Sequence, residues 1–214
     1  RDRFGVKPLY WSVQNGEFVF ASEMKAFVAL EGFRRELDAE LAALSVDRSQ
    51  LLEGSSDRTL MKGLFKLMPG HSISVGRAGE VSVRRWWNTF DHLPDVPSDR
   101  KRRVDAFRDL LLDAVGLRMR SDVPVGTCLS GGLDSSSVAC CMAHLRREKG
   151  RLSRVPGDSR SAFIASFPGT AIDETEWALR AAAGADARPI VWEFDPEDAL
   201  RDILASVWSM EDVY

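Results

Sequence analysis

Val123-Pro124-Val125-Gly126-Thr127-Cys128-Leu129-Ser130-Gly131-Gly132-Leu133-Asp134-Ser135-Ser136 decides the reading of this chain. Residues 123–129 are an apolar run of strand length, and residues 136–147 carry a helical pattern. Gly131 and Gly132, between them, permit positive φ and leave no Cβ in the way of a ligand. Backbone N–H groups of the loop converge there with those of the first helical turn, an anion site reinforced by the helix dipole. Ser130, Ser135 and Ser136 add hydroxyl donors. Asp134 would repel phosphates unless its carboxylate held a Mg²⁺ that bridges them. The stretch lacks Gly-x-x-x-x-Gly-Lys-[Ser/Thr], so no lysine reaches a γ-phosphate, and it is not Gly-x-Gly-x-x-Gly. Such a cradle suits chemistry at an α-phosphate, with pyrophosphate leaving into the loop. A bare Gly-Gly turn capped by Ser or Asp is the plain alternative, and the length of the matching run weighs against it.

Working outward, the downstream sequence alternates strand and helix. Residues 162–167 and 189–194 read as strands, and 174–183 and 195–209 as helices. Upstream, 105–120 reads as a helix whose apolar face holds Phe107, Leu110, Leu111, Ala114, Val115 and Met119. The alternation implies a parallel sheet with helical crossovers. Residues 92–101, with Pro94 and Pro97, read as a linker. Before it the pattern is different. Residues 9–13 and 17–21 are strand-like runs joined by Gln14-Asn15-Gly16, a strong hairpin signal. Residues 22–29 read as a short helix. Asp38 can cap another, with Leu41, Leu44 and Val46 on its apolar side. Residues 50–58 read as loop, Pro69-Gly70 as a turn, and 71–75 with 81–86 as a second strand pair. The chain opens on Arg1 in mid-pattern, and three strands make half of a doubly wound domain. The expectation is a piece of a longer polypeptide, with an open sheet edge and poor solubility in isolation.

The composition is that of an ordinary globular chain: 214 residues, 44% hydrophobic, 29% charged, formal charge −3. A pI of 5.7 argues against non-specific nucleic-acid binding. No apolar run approaches the roughly 18 residues of a membrane span, and no signal peptide opens the chain. Cys128, Cys140 and Cys141 are too few for a disulfide framework and lack zinc spacing, so reduced thiols and a cytoplasmic location are expected.

Residues 130–135 resemble the Ser-Gly-Gly-x-Asp-Ser loop of the ATP-pyrophosphatase (PP-loop) superfamily. With the preceding Ser121-Asp122-Val123-Pro124-Val125-Gly126, the chain is similar to the glutamine-hydrolysing asparagine synthetases. Arg1-Asp2-Arg3-Phe4-Gly5-Val6-Lys7-Pro8-Leu9-Tyr10 and Ala21-Ser22-Glu23-Met24-Lys25-Ala26 resemble the end of that family's class II glutaminase domain. Leu67-Met68-Pro69-Gly70-His71 with Arg85-Trp86-Trp87 resembles the approach to its synthetase domain. The implied fold class is α/β. Residues 1–95 would be the C-terminal end of an αββα glutaminase domain with its connector. Residues 96–214 would be the first half of a doubly wound parallel-sheet PP-loop domain.

The implied activity is ATP-dependent amidation of aspartate through a β-aspartyl-AMP intermediate. Ammonia from glutamine reaches it by a tunnel, AMP and pyrophosphate are released, and Mg²⁺ is required. The complete enzyme would be a cytoplasmic homodimer with partners aspartate, glutamine and ATP, and neither nucleic acid nor membrane. The resemblance puts ATP and pyrophosphate against Cys128, Leu129, Ser130, Gly131, Gly132, Asp134, Ser135 and Ala165, with Asp134 on Mg²⁺. Ala165 falls where the adenine packs, and Cys128 replaces a usual aliphatic. No catalytic residue lies within the chain: the N-terminal Cys nucleophile and the second nucleotide motif, Ser-Gly-Glu-Gly-Ser-Asp-Glu, would lie outside it.

Other features carry less. Asn15-Gly16-Glu17 spells a glutamine-binding tripeptide of the family but sits in the hairpin. Asp173-Glu174 falls where the family has an acidic pair, and helix capping explains it equally well. Arg100-Lys101-Arg102-Arg103 reads as a solvated helix face, Cys140 and Cys141 as helix packing, and Trp86-Trp87 as core or interface. Two other functions compete: a β-lactam or peptide-macrolactam synthetase on the same scaffold, and a catalytically incomplete ATP-binding remnant.

Overall fold

The computed structural model describes residues 1–52, 56–148 and 159–211, without the side chains of 46–52. Asn15 and Gly16 set the first element. Their φ angles of +52° and +81° are the geometry of a tight hairpin turn. They join β1 (Tyr10–Gln14) to β2 (Glu17–Ala21), antiparallel, with Gln14 opposite Glu17. A two-residue strand, β3 (Phe65–Lys66), pairs with the other edge of β1. It is too short for any alternation to announce it. Helix α1 (Lys25–Val28) is a single turn, shorter than the 22–29 expected. Met24, Phe27 and Leu64 form the buried core here, with Tyr10, Val19 and Met61 packed on it.

Asp38 caps α2 (Ala39–Leu52), accepting from the Leu41 N–H at 3.1 Å. Arg58 grips the same carboxylate at 2.6 Å and holds Asp38 below the usual carboxylate range. Leu41 is buried, whereas Leu44 is exposed. The helix runs through residues 50–52, so the start of the expected 50–58 loop is helical. Gly54, Ser55 and the side chain of Val46 lie outside the described residues. β4 (His71–Val75) and β5 (Val81–Arg85) form the second expected hairpin.

Arg1 and Asp2 fold the chain's first loop onto itself. The Arg1 guanidinium donates to the carbonyls of Gly5, Lys7 and Leu67 at 2.6, 3.0 and 2.8 Å. The Asp2 carboxylate accepts from the N–H groups of Phe4, Val6 and Lys7 at 3.0–3.2 Å. Gly5 has φ +70°, and a Cβ there would stand 2.7 Å from the Pro69 ring. The amide bonds, the Lys7 one first, lower the Asp2 pKa from 3.8 to about 2. A lowered folded-state pKa means that ionisation favours the folded loop. Its stabilisation is complete above the ordinary value of 3.8 and is lost as pH falls through about 2. The amide protons of Phe4, Val6 and Lys7 should therefore titrate together by NMR with a midpoint near 2. A midpoint near 3.8 would show that the carboxylate is not held.

The expected linker is shorter than residues 92–101. A 3₁₀ turn spans Thr89–His92, and α3 (Arg100–Arg118) starts on an Asp99 cap that accepts from the Arg102 N–H at 2.8 Å. Two compact units result: Arg1–Pro94 with the described residues from Asp202 on, and Asp95–Arg201.

In the second unit, β6 (Thr127–Cys128), β7 (Ser161–Ser166) and β8 (Arg188–Glu193) form a parallel sheet in that order. Helices α4 (Leu133–Arg147) and α5 (Thr175–Gly184) alternate with them, and α6 (Pro196–Met210) follows β8 in sequence, with its residues from Asp202 on belonging to the first unit. The expected strand over 123–129 shrinks to two paired residues. Pro124 has no N–H to give to a ladder, and the Val125 N–H goes to Ser159 Oγ at 3.2 Å. Leu129, Ile164 and small residues such as Ala139, Ala143, Ala178 and Ala182 form the core. The small side chains let α4 and α5 approach the sheet closely. Helix α3 packs through Val115 and Met119 on Met142 and Leu145. Phe107 and Leu110, placed by periodicity on that face, are 67% and 62% exposed. The buried line is rotated toward Leu111 and Leu112. Register puts Cys128, Phe163 and Ile190 in one row on the opposite, open face of the sheet, with Ala165 and Trp192 in the next.

Candidate functional site

In a parallel sheet every strand-to-helix loop emerges at the carboxyl edge, where open α/β sheets bind ligands. The β6–α4 loop, residues 129–132, is the one that carries two adjacent glycines, Gly131 and Gly132. Leu129 anchors it: its side chain is 2% exposed in the core and its N–H donates to Phe163 O at 2.8 Å. The chain then turns through Gly131 at φ +84°. A Cβ on Gly131 would lie 2.5 Å from Ala178 N and 2.7 Å from Trp177, so the loop backbone rests directly on α5. Gly132 differs. Its φ is −67°, and a Cβ there would meet only Ser130 Oγ, at 3.4 Å, in otherwise open space. One glycine serves packing, and the other keeps a hollow free.

Ser135 Oγ is the hub of the loop. It accepts from Ser130 N–H at 3.2 Å and lies 3.0 Å from Ser130 Oγ. Ser130 Oγ in turn accepts from Gly132 N–H at 3.3 Å. Helix α4 starts within this ring, so its first-turn N–H groups, which have no intrahelical partner, open toward the same hollow. Ser136 Oγ is buried beside them without a hydrogen-bond partner among the described residues. Asp134 sits in the first turn of α4, exposed, with no side-chain bond among the described residues. No group of three or more His, Cys, Asp or Glu poised for a metal occurs among those residues. A single carboxylate does not cage a resident ion. It does fit Mg²⁺, which is commonly held by one or two carboxylates together with substrate phosphates.

The β7–α5 loop is braced by Asp173. Its Oδ1 accepts from Thr175 Oγ1 at 2.5 Å and from the N–H groups of Phe167 and Thr175 at 3.2 Å each. These bonds, the Thr175 hydroxyl first, hold Asp173 below the usual carboxylate range. Capping thus accounts for Asp173, while Glu174 makes no cap bond. Cys128 and Ala165 are exposed on the open sheet face that leads to the loop.

Of the expected site residues, Ser130, Gly131, Gly132, Asp134 and Ser135 come together in one loop and first helical turn. Cys128 and Ala165 stand on adjoining strands, and the Leu129 side chain points into the core. Trp177 and Ala178, which back Gly131, were not legible: no motif marks a residue whose role is to be touched by a distant glycine.

Two family models match the chain in sequence. Residues 1–87 match the glutamine amidotransferase domain and residues 106–214 match asparagine synthase. The chain belongs to the asparagine synthase family. Among curated relatives it is 32% identical to the amidase chyE of Penicillium rubens, over 99% of this chain and 31% of that protein. It is 28% identical to asparagine synthetase [glutamine-hydrolyzing] 1 of Bacillus subtilis, over 99% of this chain and 31% of the relative. It is 36% identical to a putative asparagine synthetase [glutamine-hydrolyzing] 2 of Methanocaldococcus jannaschii, over 66% and 27%. The chain thus spans about a third of the length of the curated relatives it matches. No helix among the described residues is long and apolar enough to cross a membrane.

The three thiols differ in exposure. Cys128 and Cys140 are exposed, whereas Cys141 is partly buried, and burial pushes its thiol pKa up. Iodoacetamide should modify Cys141 about tenfold more slowly than the other two, because the thiolate is the nucleophile. A nucleotide bound on the open sheet face beside the β6–α4 loop would protect Cys128 and leave Cys140 unchanged, which peptide mass spectrometry can follow. Equal protection of both would place the nucleotide elsewhere.

Proposed function

We propose that the chain is a segment of a glutamine-dependent asparagine synthetase that activates the aspartate β-carboxylate with ATP. The observation that carries this reading is the Ser130–Ser135 ring around Gly132, set on the N-terminus of α4 at the carboxyl edge of a parallel sheet. In this reading the Ser130 and Ser135 hydroxyls and the first-turn N–H groups hold the β- and γ-phosphates. Ala165 and Cys128 flank the nucleoside. A carboxylate oxygen of aspartate attacks the α-phosphorus, and the bond to the β-phosphate oxygen breaks. Pyrophosphate leaves into the loop, where fixed donors offset its growing charge. Asp134 would hold Mg²⁺, whose part is to neutralise phosphate charge. Ammonia released from glutamine by the amidotransferase part then displaces AMP. Residues 1–95 would belong to the first activity and 96–214 to the second, in a cytosolic protein with reduced thiols.

The test uses the whole protein with ATP, Mg²⁺ and glutamine, with and without aspartate. AMP, pyrophosphate and asparagine in equal amounts, all dependent on aspartate, support the reading. ADP as the product would overturn it. The relatives named amidase favour a second reading, in which the same loop activates a different carboxylate for amide or lactam formation. AMP release with other carboxylates and none with aspartate would select it.

A further inference from the structure

Glu211 carries a carboxylate whose side chain is only 10% exposed. A charge so buried must be paired, and this one is. Its two oxygens accept from the N–H groups of Met24 and Lys25 at 2.5 and 2.8 Å. The Lys25 ammonium stands 3.5 Å from Oε1, donates to Trp208 O at 3.1 Å and lies over the Trp208 ring at 5.7 Å. Glu211 itself has φ +59°, left-handed backbone that a non-glycine residue keeps only where its surroundings demand it. Lys25 and Glu211, with Met24, Leu60, Met61 and Trp208, line a cavity of about 280 Å³. All these residues lie in the first compact unit. Yet Met24 and Lys25 fall in the stretch matched by the glutamine amidotransferase domain, and Glu211 in the stretch matched by asparagine synthase.

We propose that Glu211 is a positioning residue that couples glutamine hydrolysis to ATP use, by fixing the turn ahead of α1 through this clasp. The proposal rests on the function read above. The bonds to Met24 and Lys25 and the ion pair all end on one carboxylate group, so they depend together on where the backbone at Glu211 stands. A shift of the segment that carries Glu211 therefore frees the turn as a unit.

The experiment is Glu211→Gln in the whole protein, assayed with glutamine and separately with ammonium chloride. The amide keeps the side chain's shape, but its NH₂ end cannot accept, so one N–H bond and the ion pair are lost. Glutamine-driven AMP release should fall about tenfold, within the usual range of coupling between sites. Ammonium-driven release should be unchanged, and glutamate formed per AMP should rise. Lys25→Met, which spares both N–H bonds, should give the same split in weaker form. Hydrogen exchange at the Met24 and Lys25 amides should quicken in Glu211→Gln. An equal loss with both nitrogen donors in both variants would make Glu211 merely structural and overturn the proposal. So would an unchanged ratio beside normal ammonium activity. A wild-type protein that releases no AMP even with ammonium would overturn the reading of function, and the coupling with it.

Discussion

Gly131→Ala should abolish ATP binding and weaken the second unit, whereas Gly132→Ala should abolish binding alone. At Gly131 the backbone is at φ +84° and the added Cβ meets Ala178 N at 2.5 Å and Trp177 at 2.7 Å. Those neighbours are backbone and the root of a side chain, so they cannot swing away. The left-handed conformation alone costs roughly 1–3 kcal/mol, and the overlap adds to it. At Gly132 the φ of −67° suits any residue, and the Cβ meets only a serine hydroxyl at 3.4 Å. That methyl group instead occupies the hollow in which phosphate oxygens would meet N–H groups. Calorimetric titration with Mg-ATP and a thermal melt separate the two effects. Unchanged melting in Gly131→Ala would mean that the loop does not rest on α5. Retained affinity in Gly132→Ala would move the phosphates out of the hollow.

Asp134→Asn should leave the fold intact and remove the dependence of pyrophosphate binding on Mg²⁺. The side chain is exposed and makes no bond among the described residues, so the fold loses only a weak helix-dipole interaction. Its charge meets no structural partner among the described residues, and it stands beside a ring of groups otherwise suited to anions. Loss of one charge-assisted contact worth about 2–3 kcal/mol lowers affinity about 30- to 150-fold. Pyrophosphate titrations with and without Mg²⁺ should differ in the wild type and coincide in the variant. A variant that keeps the full Mg²⁺ effect would show that the ion is held without Asp134.

The hairpin turn at Asn15-Gly16 and the parallel alternation after residue 120 were legible because glycine chemistry and periodicity are local. The loop at 130–135 was legible for the same reason: its glycines, hydroxyls and helix start lie within six residues. What escaped depends on distant partners. β3 exists because β1 offers it a free edge. The strand at β6 is short because Ser159 takes the amide that a ladder would use. The buried side of α3 is rotated because α4, not the helix's own pattern, chooses which residues are covered. No local pattern marks Glu211, because the N–H groups of Met24 and Lys25 that hold it lie 187 and 186 residues away in the chain.

The most direct test follows one oxygen atom. The whole protein is supplied with aspartate bearing ¹⁸O in both β-carboxylate oxygens, together with ATP, Mg²⁺ and glutamine. Attack of the carboxylate on the α-phosphorus, followed by displacement with ammonia, leaves one labelled oxygen in the phosphate of AMP. The account predicts that singly labelled AMP in an amount equal to the asparagine formed. Label in inorganic phosphate with ADP as the nucleotide product, or asparagine formed beside unlabelled AMP, would contradict it.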